Sequence, residues 1–545
     1  MLAPRRLTTR HYTCAMRSEP DESSPWRTGR AVLACFGLLL LLAALRPLAV
    51  PDEGRYGEIG RWMLQSGDWL TPRLNGIPFF HKPPYLYWLE AGALAVLGVN
   101  AWALRWVPAL HALLMLGLMW QVARRWGGPA LAHRAVCILG SSMAFLIGGQ
   151  YVNHDMLVAS WMSVAIFCLG WSFEQGAERP HAGWALGGVF ACAMGVLSKG
   201  LIGLLLPGLV LVLWLTLTWQ WRKVWRLPWL RGIGLFLVIA LPWFVLAQQA
   251  HPDMLAYMFG KHQFGRYTAT TFNNARPWWF YGLAVVVLLG PWILWVLHLG
   301  WRELRPTPAL QSLRQQALLR RLMLLCWVTT LAILGFFSIP NSKLIGYALP
   351  VLPALALLAA WGWQLGMAGK RHERGVFRAL VGLAIVLAVF ANLAASRYTQ
   401  RHSSADVARE LACLKGPDDT VWLAGDYAYD LPFTAQLRAP MVVLQDWPHW
   451  RQSAGDNWRR ELFEGADFDA QAARALQTPQ ALLQAAGQAG QWLVMPREGV
   501  PELPADLAGF VPVLSGRAWA LFKSPATPGP TPAQQACRTQ RLNAQ

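Results

Sequence analysis

Asp52, Glu53, Arg55 and Glu58, His81 and Lys82, His154 and Asp155, Lys199, His262 and Arg266, and Lys343 with Tyr347 lie in or beside short connections between long apolar runs. Ionisable groups at bilayer depth are costly and usually functional. Arg55, Lys82, Lys199, Arg266 and Lys343 form a set of cations. Gathered at one membrane face they would hold an anion, most simply the phosphate of a lipid. Asp52 and Asp155 are then candidates for general base or electrostatic stabiliser beside that anion, with Glu53 as a third candidate acid. Each has a plainer reading when taken singly. Lys199, in Val196-Leu197-Ser198-Lys199-Gly200, reads as a lysine snorkelling at a helix end. Asp52 reads as a helix N-cap, and Asp155 as the start of a helix at residue 156. Polar positions arriving from six separate connections favour a shared site instead.

Those positions depend on the apolar runs that carry them. Of the 545 residues, 55% are hydrophobic and 14% charged, against about 25% charged in typical soluble domains. Leu- and Trp-rich runs near 20 residues recur from Ala31 to about Ser396, each long enough to cross roughly 30 Å of hydrocarbon as a helix. The pattern predicts spans at 31–50, 103–122, 130–149, 156–173, 183–197, 200–219, 232–249, 278–298, 321–338, 345–365 and 376–395. The fold class is therefore a polytopic α-helical membrane protein. The apolar but short segment 84–98 carries Glu90 and is expected on the membrane surface.

The net charge of +19 would suit a nucleic-acid binder, but no basic stripe with interleaved aromatics is present. The Lys and Arg residues sit instead in alternate short loops, such as Arg124 and Arg125, or Lys370, Arg371, Arg374 and Arg378. The positive-inside rule produces this distribution. It places the N-terminus in the cytoplasm and residues 396–545 on the outer, periplasmic side of an inner membrane. Arg5, Arg6, Arg10, Arg17, Arg27 and Arg30 precede the first run, and no small-x-small site precedes Pro51. An uncleaved first helix is expected rather than a signal peptide. Three regions result: a cytoplasmic segment 1–30, a transmembrane catalytic domain 31–395 and a soluble α/β domain 396–545.

Within the connection 51–102, Asp52 to Gln65 reads as a short amphipathic helix. Tyr56, Ile59 and Met63 share a face and Gly67 ends it. Lys82-Pro83-Pro84 precedes a second surface helix. The pair would form a platform over the bundle. The tail mixes strand-like runs (Thr420 to Ala424, Met441 to Leu444, Gln491 to Met495, Trp519 to Lys523) with a helical stretch from Ser404 to Leu414. It carries no catalytic motif. Of eight cysteines, only Cys413 and Cys537 lie in the tail, where an oxidising compartment would allow a disulfide.

The run from Pro51 to Ile59 (PDEGRYGEI), Gly67 to Gly76 (GDWLTPRLNG) and Lys82 to Trp88 (KPPYLYW) resemble the first periplasmic loop of the lipid A aminoarabinose transferases and related family 39 glycosyltransferases. The resemblance continues through Asn153-His154-Asp155-Met156, Ser198-Lys199-Gly200, His262 to Tyr267 and Asn341-Ser342-Lys343, with Tyr347 and Pro350, so that it covers roughly residues 31–365. It implies a GT-C fold with periplasmic amphipathic helices, an undecaprenyl-phosphate-linked sugar as donor, and transfer at the periplasmic face to lipid A or another envelope acceptor. By position, Asp52 matches the family's first-loop acid and Asp155 that of the second outer loop. Arg55, Lys82, Lys199, Arg266 and Tyr347 match residues that hold the donor phosphate, and Lys343 belongs to the same matched motif. Two positions depart from the family pattern: His81 and Lys261 stand where glutamates are usual. Both changes bear on acceptor choice and acid–base chemistry.

These features together predict an inverting transfer with membrane lipids as partners and no required cofactor. His81, His154 and His262 could instead hint at a divalent-metal site, but no ligand-spacing motif accompanies them. The alternatives are a protein O-mannosyltransferase-like enzyme, a lipid or solute transporter, and a non-catalytic assembly protein. A transporter would show internal repeats and polar residues at the midplane, and neither is evident.

Overall fold

The computed structural model describes residues 25–175, 178–265, 274–305, 317–498 and 509–543. Among these, nine helices are long and apolar enough to cross a membrane: Pro25–Ala44, Ala101–Ser141, His154–Gln175, Ala182–Lys199, Trp229–Ala250, Phe280–Leu304, Ala317–Ser338, Ile345–Met367 and Glu373–His402. Ala101–Ser141 is two arms meeting at Gly128, whose φ of 84° breaks the helix immediately before Pro129. Tyr85–Leu97 and Ile202–Thr218 are shorter apolar helices. Leu230, Val238, Leu331, Val386 and Phe390 stand exposed along the spans. Side chains of this kind would be unfavourable against water and suit the acyl chains of a bilayer.

Asp52–Ser66 forms the expected short helix, closed at Gly67 (φ 73°) by a bond from the Gly67 N–H to the Met63 carbonyl. Its N-cap is Pro51, and no side chain caps it. Asp52 is therefore not the N-cap that its position suggested. Ile59 and Met63 of the expected apolar face are buried, beneath protein rather than at a free surface. They share one apolar core with Tyr87 of Tyr85–Leu97 and with Val407, Leu423, Tyr427, Leu431 and Trp458 of the C-terminal region.

Between the two short helices, β1 (Arg73–Leu74) and β2 (Ile77–Pro78) form an antiparallel hairpin. Its turn is Asn75-Gly76, with φ values of 54° and 75°, the left-handed backbone that this dipeptide favours. The Asn75 amide donates to the Met441 carbonyl at 2.8 Å and accepts from the Met441 N–H at 2.7 Å. The hairpin is thereby tied to the C-terminal domain.

That domain is a six-stranded sheet of order β5-β4-β3-β6-β8-β7. β3 (Thr420–Ala424), β4 (Val442–Leu444), β5 (Leu476–Gln477) and β6 (Gln491–Pro496) run parallel, while β7 (Val511–Ser515) and β8 (Trp519–Lys523) add antiparallel. A disulfide joins Cys413 of the Ala405–Leu414 helix to Cys537 of the Pro532–Asn543 helix.

Gly54 fixes how closely the first short helix meets this domain. A Cβ there would lie 2.8 Å from the Tyr429 carbonyl carbon and 2.9 Å from the Asp430 nitrogen. Both are backbone atoms, so any larger residue would push the domain off the helix.

Candidate functional site

A cavity of about 440 Å³ opens where the helical bundle meets the C-terminal domain. The start of the Asp52–Ser66 helix gives it Asp52, Arg55 and Tyr56, and the following connection gives His81 and Lys82. Asn153, His154 and Asp155 come from the start of the His154–Gln175 helix, Lys199 from the last turn of Ala182–Lys199, and Tyr347 from the start of Ile345–Met367. The domain contributes Tyr429, Asp456, Asn457, Trp458 and Glu461.

At the bundle wall, the Lys199 ammonium donates to the Asp155 carboxylate and sits 4.5 Å from the centre of the Tyr347 ring. Lysine at a helix C-terminus is favoured by the helix dipole. Asp155 also accepts from the Asn153 amide at 3.0 Å. Gly346 makes room for it, since a Cβ there would fall 1.9 Å from Asp155 Oδ2. The helix begins at His154, so Asp155 lies in its first turn. Asp52 accepts a hydrogen bond from the Tyr151 hydroxyl at 3.3 Å. Burial pushes the Asp52 carboxyl above its usual range; Arg55 opposes the rise, Asp155 adds to it, and Tyr151 and Lys199 oppose it.

Across the cavity, Arg55 pairs with Glu461 at 2.9 Å and donates to the Tyr429 hydroxyl at 3.2 Å. Burial works against its charge, but Glu461 and the neighbouring acids keep it firmly protonated. On the Trp458–Ala466 helix, one turn after Glu461, a second carboxylate, Glu464, receives Lys261 at 2.7 Å, Arg460 at 2.6 Å and the Tyr257 hydroxyl at 3.0 Å. Burial opposes the Glu464 charge, yet the bonds from His262, Lys261 and Arg460 prevail and hold its carboxyl down at about 2.

His81 and Lys261, the two positions expected to depart from the resembled pattern, meet at this point. His81 bonds the Tyr257 hydroxyl at 2.9 Å and stacks on His262 at 3.9 Å. Lys261 donates to the Glu464 carboxylate of the C-terminal domain. No group of three or more His, Cys, Asp or Glu arranged to hold a metal occurs among the described residues.

Two predicted site residues do not line the cavity. Glu53 is fully buried behind it and receives Arg46 at 2.5 and 2.8 Å, Arg105 at 2.7 Å, and the Ala49 and Val152 amides. These bonds occupy both of its oxygens in locking the first loop to the bundle. Arg105 and Arg46 hold its carboxyl well below the usual range despite burial, which acts the other way. Lys343 is 3% exposed and donates to the Arg276 and Pro340 carbonyls at 2.9 and 2.5 Å. There it closes a loop and meets no ligand space. Arg266 lies outside the described residues. Sequence reasoning missed Tyr429, Asp456, Trp458 and Glu461 in the cavity wall and Glu464 beside it, which carry no local motif and reach their places only through the tertiary fold.

The family model described as dolichyl-phosphate-mannose-protein mannosyltransferase matches residues 36–258. The chain is 32% identical over 383 residues to an undecaprenyl phosphate-alpha-4-amino-4-deoxy-L-arabinose arabinosyl transferase of Pseudomonas aeruginosa (strain UCBPP-PA14), covering 68% of this chain and 65% of that relative. It is 32% identical over 332 residues to a relative of the same description from Pseudomonas fluorescens (strain Pf0-1), covering 59% and 57%. The chain thus spans about three fifths of the length of the curated relatives it matches. ArnT from Cupriavidus metallidurans, solved bound to undecaprenyl phosphate, has the same fold, with a TM-score of 0.74, 24% identity, and coverage of 92% of this chain and 99% of that one.

Proposed function

From a chain that has the GT-C glycosyltransferase fold and resembles the lipid A aminoarabinose transferases, we propose a membrane glycosyltransferase that moves aminoarabinose from an undecaprenyl-phosphate donor to lipid A. The site faces the periplasm, the N-terminus is cytoplasmic and the C-terminal domain is periplasmic. The observation that carries this reading is the convergence of Arg55, Lys82 and Lys199 with Asp52 and Asp155 on one cavity from separate parts of the chain.

In the proposed reaction the bond between the anomeric carbon and the donor phosphate oxygen breaks, and the lipid phosphate leaves with the electron pair. An acceptor oxygen forms the new bond from the opposite face, inverting the configuration. Lys82 and Arg55, together with Lys199 above Tyr347, stabilise the charge growing on the leaving phosphate. Preorganised charge of this kind is often the largest catalytic term. A phosphate acceptor is already anionic and gives up no proton. With a hydroxyl acceptor, Asp52 takes the proton, and its raised affinity for one suits that role.

Glu53 and Lys343 act in this reading as supports for the catalytic loops. No metal is assigned a step. The description of the matching family keeps a protein hydroxyl acceptor as the second reading.

Mass spectrometry of lipid A and of envelope proteins, from cells with and without the gene, tests both readings. Loss of an aminoarabinose-sized mass from lipid A supports the first reading, and loss of hexose from protein supports the second. Unchanged profiles in both would reject transfer altogether.

A further inference from the structure

His154 opens the His154–Gln175 helix beside Asp155, lines the cavity and is only 2% exposed. Neither of its ring nitrogens has a hydrogen-bond partner among the described residues. The ring is fixed from two sides, edge-on to Tyr56 at 4.8 Å and to Tyr87 at 5.4 Å. These contacts hold the imidazole plane without using its polar atoms. Buried polar groups are nearly always bonded, because leaving them bare costs free energy. An exception kept inside a ligand cavity points to a ligand that supplies the missing partners.

A neutral imidazole offers one N–H donor and one acceptor. A phosphate oxygen can only accept, so phosphate alone leaves one nitrogen unanswered. A hydroxyl both donates and accepts, and neighbouring hydroxyls on a sugar ring satisfy both nitrogens at once. The surrounding cations Arg55, Lys82 and Lys199 already account for the phosphate. We infer that His154 is a specificity-determining residue that binds the hydroxyl groups of the donor's sugar and does not bind its lipid phosphate. This rests on the donor-site reading of the cavity.

The test measures the dissociation constants of undecaprenyl phosphate and of undecaprenyl phosphate-aminoarabinose with the full-length chain in lipid nanodiscs. His154→Phe keeps a flat ring and removes both nitrogens, while His154→Gln keeps a donor and an acceptor. The Phe variant should hold undecaprenyl phosphate within about twofold of the starting chain and lose about tenfold or more for the sugar-bearing donor. The Gln variant should recover most of that loss.

Equal weakening of both ligands, or of neither, overturns the assignment. Should the Phe variant fail to elute as a monodisperse folded species, His154→Leu takes its place. Failure of both apolar variants to fold, with the Gln variant normal, marks a structural histidine and also overturns the assignment. If the unmodified chain binds neither ligand, the donor-site reading falls and this inference with it. If it binds both and the Phe variant binds the sugared donor as tightly as the starting chain does, only His154 is misassigned.

Discussion

Glu461 of the C-terminal domain holds Arg55 of the first short helix at 2.9 Å, with 13% and 14% of the two side chains exposed. One wall of the cavity is thus set by a residue more than four hundred positions away from the arginine it holds. Removing one partner of a buried pair costs about 3–5 kcal/mol. Glu461→Ala should lower the melting temperature in detergent by several degrees, and a misplaced Arg55 should reduce transfer about tenfold or more. Thermal melting alongside a transfer assay checks both effects. Wild-type values for both would show that Arg55 is positioned by other means.

Asp52→Ala and Lys82→Ala should each abolish transfer while the protein still inserts and melts as the parent does. Both side chains face the cavity, and neither belongs to the Glu53 network. A transfer assay beside size-exclusion profiles in detergent decides this. Retained activity in both variants would remove the proposed chemistry from the cavity.

Asp52 also predicts a pH dependence. Burial raises its pKa, so the carboxylate form is lost as pH falls, earlier than for an ordinary aspartate. With a hydroxyl acceptor, kcat/KM should drop with acid through this raised value, and Asp52→Asn should flatten that limb. A profile unaltered by the Asn substitution assigns the titration elsewhere.

Glu464 behaves oppositely. Its folded pKa of about 2 lies below the ordinary 4.5, so its stabilising contribution is complete above about pH 4.5 and is lost as pH falls toward 2. Glu464→Gln should therefore narrow the stability difference between pH 6 and pH 3. Melting curves at the two pH values measure this. An undiminished difference would mean that other carboxylates govern the acid limb.

Lys343 and Glu53 should separate stability from chemistry. Lys343→Met leaves the Arg276 and Pro340 carbonyls without their donor, a loss of about 1–3 kcal/mol. Glu53→Gln removes the charge that neutralises Arg46 and Arg105. Both variants should melt earlier, and the surviving folded Lys343→Met fraction should retain parental KM for the donor. A raised KM with unchanged melting would return Lys343 to the phosphate site.

Most spans were legible because a 20-residue apolar run admits few alternatives, although the expected span 200–219 is the shorter helix Ile202–Thr218. β3 and β8 match their strand-like runs from Thr420 to Ala424 and Trp519 to Lys523. The Asn75-Gly76 hairpin was readable in principle, being the strongest short-range turn signal, but its flanking strands have only two residues each. Asp52, Lys82, Asp155 and Lys199 were found because a charge among apolar runs is conspicuous. The same criterion also selected Glu53 and Lys343, since a type and a depth do not say whether a side chain faces inward to a partner or outward to a ligand. Glu461 and Glu464 were invisible for the reverse reason. In a polar tail a carboxylate is ordinary, and only the tertiary packing of that domain brings Glu461 to the cavity and Glu464 to Lys261 beside it.

The shared core beneath Asp52–Ser66 also dictates an order of assembly. Ile59 and Met63 emerge from the ribosome early, yet their neighbours Val407, Leu423 and Trp458 come hundreds of residues later. A nascent chain therefore carries an unfinished chamber, and premature termination before residue 429 leaves helices whose cavity lacks the wall given by Tyr429, Trp458 and Glu461.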